Sequence, residues 1–132
     1  GDNIILAETF LERLYPVSGK TWKDKTEEIP FILYNKDSET RHYIDAAFLQ
    51  QGIKPNIIVE STSPSFMKEL AIDGGGVALL PKNFIERELK QKKLFIQKFP
   101  FKFYRQVGLF LNKESNIKTS DGVVKNMVKN LK

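Results

Sequence analysis

The chain of 132 residues contains no cysteine, a single histidine and a single tryptophan. Without cysteine it can form neither disulfides nor thiolate metal sites, and it has no cysteine nucleophile. This composition fits a reducing cytoplasm, although secreted proteins can lack cysteine as well. No apolar run approaches the roughly 20 residues that a membrane-spanning helix needs, and no leader-like segment is visible. We therefore expect a protein without membrane contact.

Catalytic motifs are scarce. The only histidine, His42, falls in the first turn of a predicted helix, where a surface or capping role is the ordinary one. No Gly-x-Ser-x-Gly motif is present, and the acidic residues do not have the spacing of metal ligands. Asp37 and Glu39 share one loop, but two neighbouring carboxylates without a partner motif are weak evidence for acid–base chemistry. The sequence therefore predicts no enzyme, no metal and no cofactor.

Positive charge is in excess and unevenly distributed, with a formal net charge of +5. Two groups of basic residues stand out: Lys90, Lys92, Lys93, Lys98, Lys102 and Arg105, followed by Lys113, Lys118, Lys125, Lys129 and Lys132. Clustered cations can neutralise nucleic-acid phosphates. However, lysine dominates, and neither a helix-turn-helix nor a stacking-aromatic motif accompanies it. A solvated surface is therefore the favoured interpretation, with direct DNA contact as the alternative.

The segment 66–81 in the middle of the chain has the pattern of a helix followed by a buried strand. Apolar residues at helical spacing over 66–72 precede the glycines at 74–76, which can end a helix. Val77–Leu80 is apolar on both alternating faces, as in a strand covered by helices on both sides. Pro81 then suits a helix N-terminus. The glycines lack the spacing and the following Lys-Ser/Thr of a phosphate loop, so they predict a helix stop.

Strands and helices alternate along the whole chain. The predicted strands are Ile4–Pro16, Ile29–Asn35, Asn56–Ser61, Gly76–Leu80, Lys93–Lys98 and Phe103–Asn112. The predicted helices are Ser38–Gln51, one opened by Ser63 and Pro64, Asn83–Lys90 and Asp121–Leu131, with a single turn between Lys20 and Glu28. Alternation of this kind predicts an α/β fold with a mostly parallel central sheet flanked by helices. The aromatic residues Phe99, Phe101, Phe103 and Tyr104 are predicted to pack in the core and at strand edges, with a stacking platform as the alternative.

Two strand-to-helix junctions are candidate binding loops. They are the segments 35–41 and 61–65. Parallel sheets bind ligands at the carboxyl ends of their strands, where helix N-termini offer free N–H groups to an anion. Arg41 or Lys36 could add a charge-assisted contact. From spacing alone, ordinary helix capping by Ser38 and Ser63 is the simpler interpretation.

The order of these segments resembles the effector-binding domain of LysR-type transcriptional regulators. The resemblance rests on the helix–glycine–strand–Pro81 phrase, on Phe31–Tyr34 followed by Ser38-Glu39-Thr40-Arg41, on Gly52–Pro55 leading into Ile57–Glu60, and on Gly108–Glu114. It covers roughly residues 4–131. Glu39 departs from the family, which usually has glycine there, and Asp37 adds a second acid.

The resemblance implies a bacterial, cytoplasmic small-molecule sensor with a periplasmic-binding-protein-like fold. Residues 1–106 correspond to the second subdomain with its crossover strand, and 107–132 to a segment returning to a first subdomain. DNA would be bound only through an N-terminal domain outside this chain, and the parent protein would be a homo-oligomer. The implied contacts to an anionic effector are Lys36, Ser38, Thr40, Arg41, Ser61, Thr62 and Ser63. The rival hypothesis is a lobe of a solute-binding protein or enzyme of the same architecture.

Overall fold

A computed structural model describes residues 4–112 of the chain. A six-stranded sheet carries helices between its strands. The strands are β1 (Ile4–Ser18), β2 (Pro30–Tyr34), β3 (Asn56–Ser61), β4 (Val77–Pro81), β5 (Phe95–Ile96) and β6 (Phe103–Asn112). The helices are α1 (Glu39–Gln50), α2 (Pro64–Ile72) and α3 (Lys82–Lys90), with a 3-10 turn at Thr26–Glu28.

The sheet is mixed. Its order is β3-β2-β4-β1-β5, and β6 also pairs with β1. Strands β3, β2 and β4 are parallel, whereas β1 runs antiparallel to both β4 and β5. The α/β class predicted from the sequence is confirmed, but the parallel arrangement is confined to the three strands joined through α1 and α2.

Helix ends follow the predicted capping chemistry. The Ser38 hydroxyl accepts from the Arg41 N–H of α1, and the Ser63 hydroxyl accepts from the Phe66 N–H of α2. At the other end of α2, Gly74 has φ of +80°, and the Gly75 N–H donates to the Leu70 carbonyl at 3.0 Å. This ending, with one residue at positive φ after the helix, gives the last carbonyls of α2 hydrogen-bond donors.

Close backbone packing explains two glycines. A Cβ on Gly76 would lie 2.7 Å from the carbonyl oxygen of Pro30, where β4 begins beside β2. A Cβ on Gly19 would lie only 2.0 Å from the carbonyl oxygen of Ile72. The Gly19 N–H donates to the Ala71 carbonyl at 2.7 Å, so the chain after β1 is held directly against the end of α2. The sequence analysis did not identify Gly19.

The core is centred on β2 and β4. All of Val77–Pro81 is buried, as predicted for a strand covered on both sides. Five phenylalanine rings pack edge-on or tilted against one another with centroids 4.9 to 5.8 Å apart, and they are Phe31, Phe48, Phe99, Phe101 and Phe103. The predicted packing role of the aromatics near residue 100 is therefore confirmed for these rings, whereas Tyr104 is 42% exposed.

Other boundaries differ in part from the predictions. The strand predicted over Lys93–Lys98 is reduced to Phe95–Ile96. Before it, the N–H groups of Lys93 and Leu94 bond to the Glu88 carbonyl in the turn after α3, and after it the Gln97 N–H makes a last backbone bond to Pro16 of β1. Pro81 caps α3 from the end of β4 and is not its first residue. The helix predicted at Asp121–Leu131 lies outside the described residues.

The chain divides into two compact units. One consists of Arg13–Arg105 and contains β2 to β5, the three helices and the core described above. In the described part of the chain, the other consists of residues 4–12 and 106–112, which are the first part of β1 and the last part of β6.

Candidate functional site

The two predicted binding loops meet at adjacent strand ends. Strands β2 and β3 are parallel and end in register, with Tyr34 opposite Ser61. One residue further on, the Asn35 N–H donates to the Ser61 carbonyl at 3.1 Å. The loops enclose an open cavity of about 330 Å³. Its walls are formed by Tyr34, Asn35, Asp37, Ser38, Ser61 and Thr62.

Hydroxyl groups on both sides of this cavity also organise its loops. The Ser38 Oγ accepts the Arg41 N–H at 3.3 Å, and the Ser61 Oγ accepts the Ser63 N–H at 2.9 Å. Each of these hydroxyls still has a hydrogen to donate. Capping and ligand contact are therefore compatible at Ser38 and Ser61, so the two interpretations of these serines need not exclude one another.

Arg41 is buried, with 3% of its surface exposed, and is already bonded to three groups. Its Nε donates to Asp45 at 2.8 Å, and its Nη1 donates to the Tyr34 carbonyl at 2.8 Å and to Glu60 at 2.6 Å. These contacts tie α1 to the ends of β2 and β3. The observed role of Arg41 is thus to position the strand ends around the cavity, whereas the predicted contact of Arg41 with an effector remains a prediction.

The charges around Arg41 are balanced by its neighbours. Burial lowers the pKa of Arg41, but hydrogen bonds and charges from Asp45 and Glu60 outweigh it and raise the pKa above its ordinary value. The hydrogen bond from Arg41 lowers the pKa of Glu60 despite some desolvation, and the charges of Arg41 and Lys36 act in the same direction. Both members of the pair are therefore ionised at neutral pH.

Thr40 is bonded away from the cavity walls. Its Oγ1 accepts a hydrogen bond from Arg105 Nη1 at 3.1 Å. Arg105 lies in β6, in the same compact unit as Thr40. The first turn of α1 is therefore linked through a side chain to the beginning of β6.

The structure brings only part of the predicted set into the cavity wall. Ser38, Ser61 and Thr62 line it, Ser63 caps α2 beside it, and Lys36 is exposed on the same loop. Asn35 and Asp37 lie in the predicted binding loop 35–41 but were not among its named contacts, and Tyr34 lies just before this loop. Their position in the same junction was the available signal, because every residue that follows a parallel strand can face such a site.

The family can now be assigned from sequence. The profile of the LysR substrate binding domain matches residues 15–120, which includes both junctions and the whole of β2 to β6. The chain belongs to the LysR substrate-binding domain family. No curated protein matches the chain by sequence.

Solved LysR structures share the fold at low identity. The DNA complex of DarR from Vibrio fischeri has a TM-score of 0.71 at 18% identity, covering 98% of this chain and 51% of that one. The bromide-bound regulatory domain of HypT from Salmonella typhimurium has a TM-score of 0.66 at 18% identity, covering 98% of this chain and 63% of that one. The CcmR regulatory domain from Synechocystis in complex with 2-PG has a TM-score of 0.61 at 17% identity, covering 98% of this chain and 65% of that one. The chain spans about half to two thirds of these structures.

Other site chemistry is not evident in the part of this LysR domain that the structure describes. His42 is exposed on α1. Between residues 4 and 112, no group of His, Asp and Glu side chains is arranged to hold a metal ion. No helix in the same range is long and apolar enough to cross a membrane.

Proposed function

We propose that the chain is the small-molecule-sensing part of a bacterial LysR-type transcriptional regulator and that its effector contacts the cavity at the ends of β2 and β3. The observation that carries this proposal is the meeting of two helix-capping junctions around one open space of about 330 Å³. Family membership supplies the sensing role, and the position of the cavity follows the general rule for ligands of parallel α/β sheets.

The chemistry of the cavity favours an effector with an anionic group. Both α1 and α2 begin beside it, and the N-termini of helices offer partial positive charge and unpaired N–H groups. Hydroxyls of Ser38, Ser61 and Thr62 add donors. The CcmR and HypT domains carry 2-PG and bromide, respectively, which agrees with small ligands in this family. Asp37 adds an acceptor, so a hydroxyl or amino group on the effector would complement it.

The remaining properties of the parent protein belong to the same proposal. An effector that prefers one conformational state shifts the population of the regulator towards that state. The parent would bind DNA through a separate N-terminal domain, assemble as a homo-oligomer and reside in the cytoplasm. We propose no turnover of the effector, because the candidate cavity presents hydroxyls, an amide and one carboxylate without a histidine.

Small hydroxy acids and amino acids are suitable probes for this proposal. Thermal-shift and calorimetric titrations of the chain should reveal a ligand whose affinity falls ~5-fold in Thr62→Val, because one hydrogen bond is worth about 1 kcal/mol. Thr21→Val, at an exposed position outside the cavity, is the matched control. A ligand whose affinity is equally insensitive to both substitutions would place the effector elsewhere.

A further inference from the structure

A second surface of the protein combines positive charge with exposed apolar side chains. We call it the basic edge and define it as residues 20–25 and 92–98. It carries six lysines and one acid, Asp24. The lysines are Lys20, Lys23, Lys25, Lys92, Lys93 and Lys98, and all six are exposed. The acids Glu27 and Glu28 follow the first segment, so the excess of positive charge is greatest on the second segment, 92–98.

The two segments of the basic edge are joined by the buried side chain of Gln97. Its Oε1 accepts the Trp22 N–H at 2.9 Å, and its Nε2 donates to the carbonyls of Lys20 at 2.9 Å and Phe95 at 3.0 Å. The Trp22 indole N–H donates to the buried Ser18 hydroxyl at 3.0 Å. Because Gln97 is only 5% exposed, this network fixes the segments into one surface.

Strand β5 gives the surface its apolar part. It is the last strand in the sheet order and pairs with β1. Phe95 and Ile96 are 42% and 45% exposed, although both are large apolar residues. The strand has only two residues, and the N–H groups of Lys93, Leu94 and Gln97 already have backbone partners, so an added strand would be held mainly by side-chain contacts. Flanking lysines normally keep such an edge from self-association. Here the same lysines would attract an acidic strand.

We propose that the basic edge docks an extended, acidic segment of another protein that carries apolar side chains. Backbone hydrogen bonds to a strand edge give affinity and side-chain pockets give specificity in this mode of recognition. Charge complementarity selects the sign of the partner and accelerates the encounter. An exposed phenylalanine can also stack on a nucleic-acid base. The aliphatic side chain of Ile96 beside Phe95 suits the apolar side chains of a peptide instead, so we commit to a peptide and use DNA as the competing probe.

The chain itself does not offer a complementary occupant in its last residues. Residues 113–132 contain five lysines and two acids, so their net charge has the same sign as that of the basic edge. A second copy of the chain also has a net charge of +5. Neither of these is therefore the proposed occupant, which is acidic, and the proposal is independent of the effector cavity.

Trp22 provides a direct test, because it is the only tryptophan and is bonded to Gln97. Lys20 Nζ lies 3.8 Å from its ring centroid, so a peptide that draws Lys20 away changes its emission. The probe is a short acetylated peptide in which glutamate and valine alternate. Control peptides replace glutamate by lysine or valine by serine. We expect binding only of the Glu–Val peptide, and weaker binding as salt is raised.

Charge-reversal variants locate the binding site. Lys93→Glu with Lys98→Glu should weaken binding of the Glu–Val peptide roughly 3- to 30-fold, since two attractive exposed charge pairs become repulsive. Lys54→Glu with Lys82→Glu, two exposed lysines outside the basic edge, makes the same change in net charge and should leave affinity unchanged. Lys23→Glu tests the other segment without altering β5.

Three results would overturn the proposal. The first is no binding of the Glu–Val peptide, and the second is an equal loss of peptide affinity in the Lys54→Glu with Lys82→Glu control. The third is single-stranded DNA that competes for the same site and binds more tightly than the peptide. Loss of binding in Phe95→Ser with Ile96→Ser, with retained binding in Lys54→Glu with Lys82→Glu, would support it.

Discussion

Arg41 shows how one buried side chain can hold together the elements that surround a cavity. Its guanidinium bridges the Tyr34 carbonyl, Glu60 and Asp45, and thereby joins α1 to two strand ends. The planar fork of arginine makes this arrangement, and a lysine ammonium cannot reproduce it. The ordinary capping geometry of the two loops then brings their hydroxyls to one cavity.

We expect Arg41→Lys to reduce the free energy of unfolding by about 1–3 kcal/mol, because buried acceptors lose their donors. Urea unfolding measures the change. Arg87→Lys is the matched control, since the Arg87 side chain is 78% exposed and lies 3.6 Å from Glu88, and it should change stability by less than about 0.5 kcal/mol. Equal stability of the two variants would mean that Arg41 does not hold the strand ends.

Glu60 gives a prediction about pH. Its pKa is lowered in the folded protein, mainly by the hydrogen bond from Arg41. The stabilising contribution is therefore complete above the pKa of an unfolded glutamate, about 4.3, and is lost as the pH falls through the lower, folded value. The difference in unfolding free energy between the protein and Glu60→Gln should shrink between about pH 6 and 3. Glu69→Gln, on the exposed face of α2, is the control. Its difference in unfolding free energy should change less over this pH range than that of Glu60→Gln.

Residue types alone could predict capping but not the position of Arg41. Ser38 and Ser63 precede helices and cap them as their chemistry requires. Asp45 lies four residues after Arg41, which is a local signal for an ion pair. Glu60 lies 19 residues away and reaches Arg41 only because β3 is placed beside β2, which depends on the tertiary fold. Long-range partners of this kind are not visible in spacing.

At the scale of the elements, the three helices end in the same way. After each helix one residue adopts positive φ, and these residues are Gly52 at +69°, Gly74 at +80° and Lys92 at +58°. In the turn after α3, the Lys93 N–H donates to the Glu88 carbonyl at 2.9 Å, as the Ile53 N–H does to the Phe48 carbonyl at 3.0 Å after α1. Lysine at the third position is strained, whereas glycine at the first two is not.

Lys92→Gly should therefore stabilise the protein by about 0.5–1 kcal/mol. Lys92→Ala removes the same charge and keeps a Cβ, so it separates the backbone effect from the electrostatic one. Guanidinium unfolding of both variants measures the difference. A Lys92→Gly protein no more stable than Lys92→Ala would show that the turn is not strained.

Gly19 should be more sensitive than Gly52. An alanine at Gly19 places its Cβ 2.0 Å from the Ile72 carbonyl oxygen, so the backbone has to move, which typically costs about 1–3 kcal/mol. Around Gly52 no atom lies within 4 Å of such a Cβ, and only the positive φ opposes the change, at about 1 kcal/mol. Thermal unfolding of Gly19→Ala and Gly52→Ala should show the larger loss at Gly19. The reverse order would contradict the observed contact.

Element types were predictable because hydrophobic periodicity and capping residues agree over most of the chain. Asn56–Ser61 was predicted with the observed bounds, and α1 differs only at its capping residues. The direction of β1 was not predictable, since alternation gives strand character but no orientation. Strand β5 is shorter than predicted because the N–H groups of Lys93 and Leu94 bond to the Glu88 carbonyl in the turn after α3.

At the scale of the whole molecule, the buried apolar side chains of the unit Arg13–Arg105 form one continuous cluster. Phe48 of α1 contacts Phe31 of β2 at 5.2 Å, Phe101 at 5.7 Å and Phe103 of β6 at 5.1 Å between ring centroids. The phenylalanine cluster thus connects a helix, a central strand and the end of the unit. Such a core should unfold cooperatively.

Phe48→Ala tests this cooperativity against a neighbouring residue. Phe48 is 1% exposed and Leu49 is 80% exposed, so the two adjacent truncations differ in burial far more than in position along the helix. Phe48→Ala should lower stability by about 3–5 kcal/mol, and Leu49→Ala by less than about 0.5 kcal/mol. Native-state hydrogen exchange should show the same loss at Val77–Leu80, which lies in another element, because global unfolding limits exchange there. Protection of Val77–Leu80 that is unchanged by Phe48→Ala would mean that α1 and β4 belong to separate cooperative units.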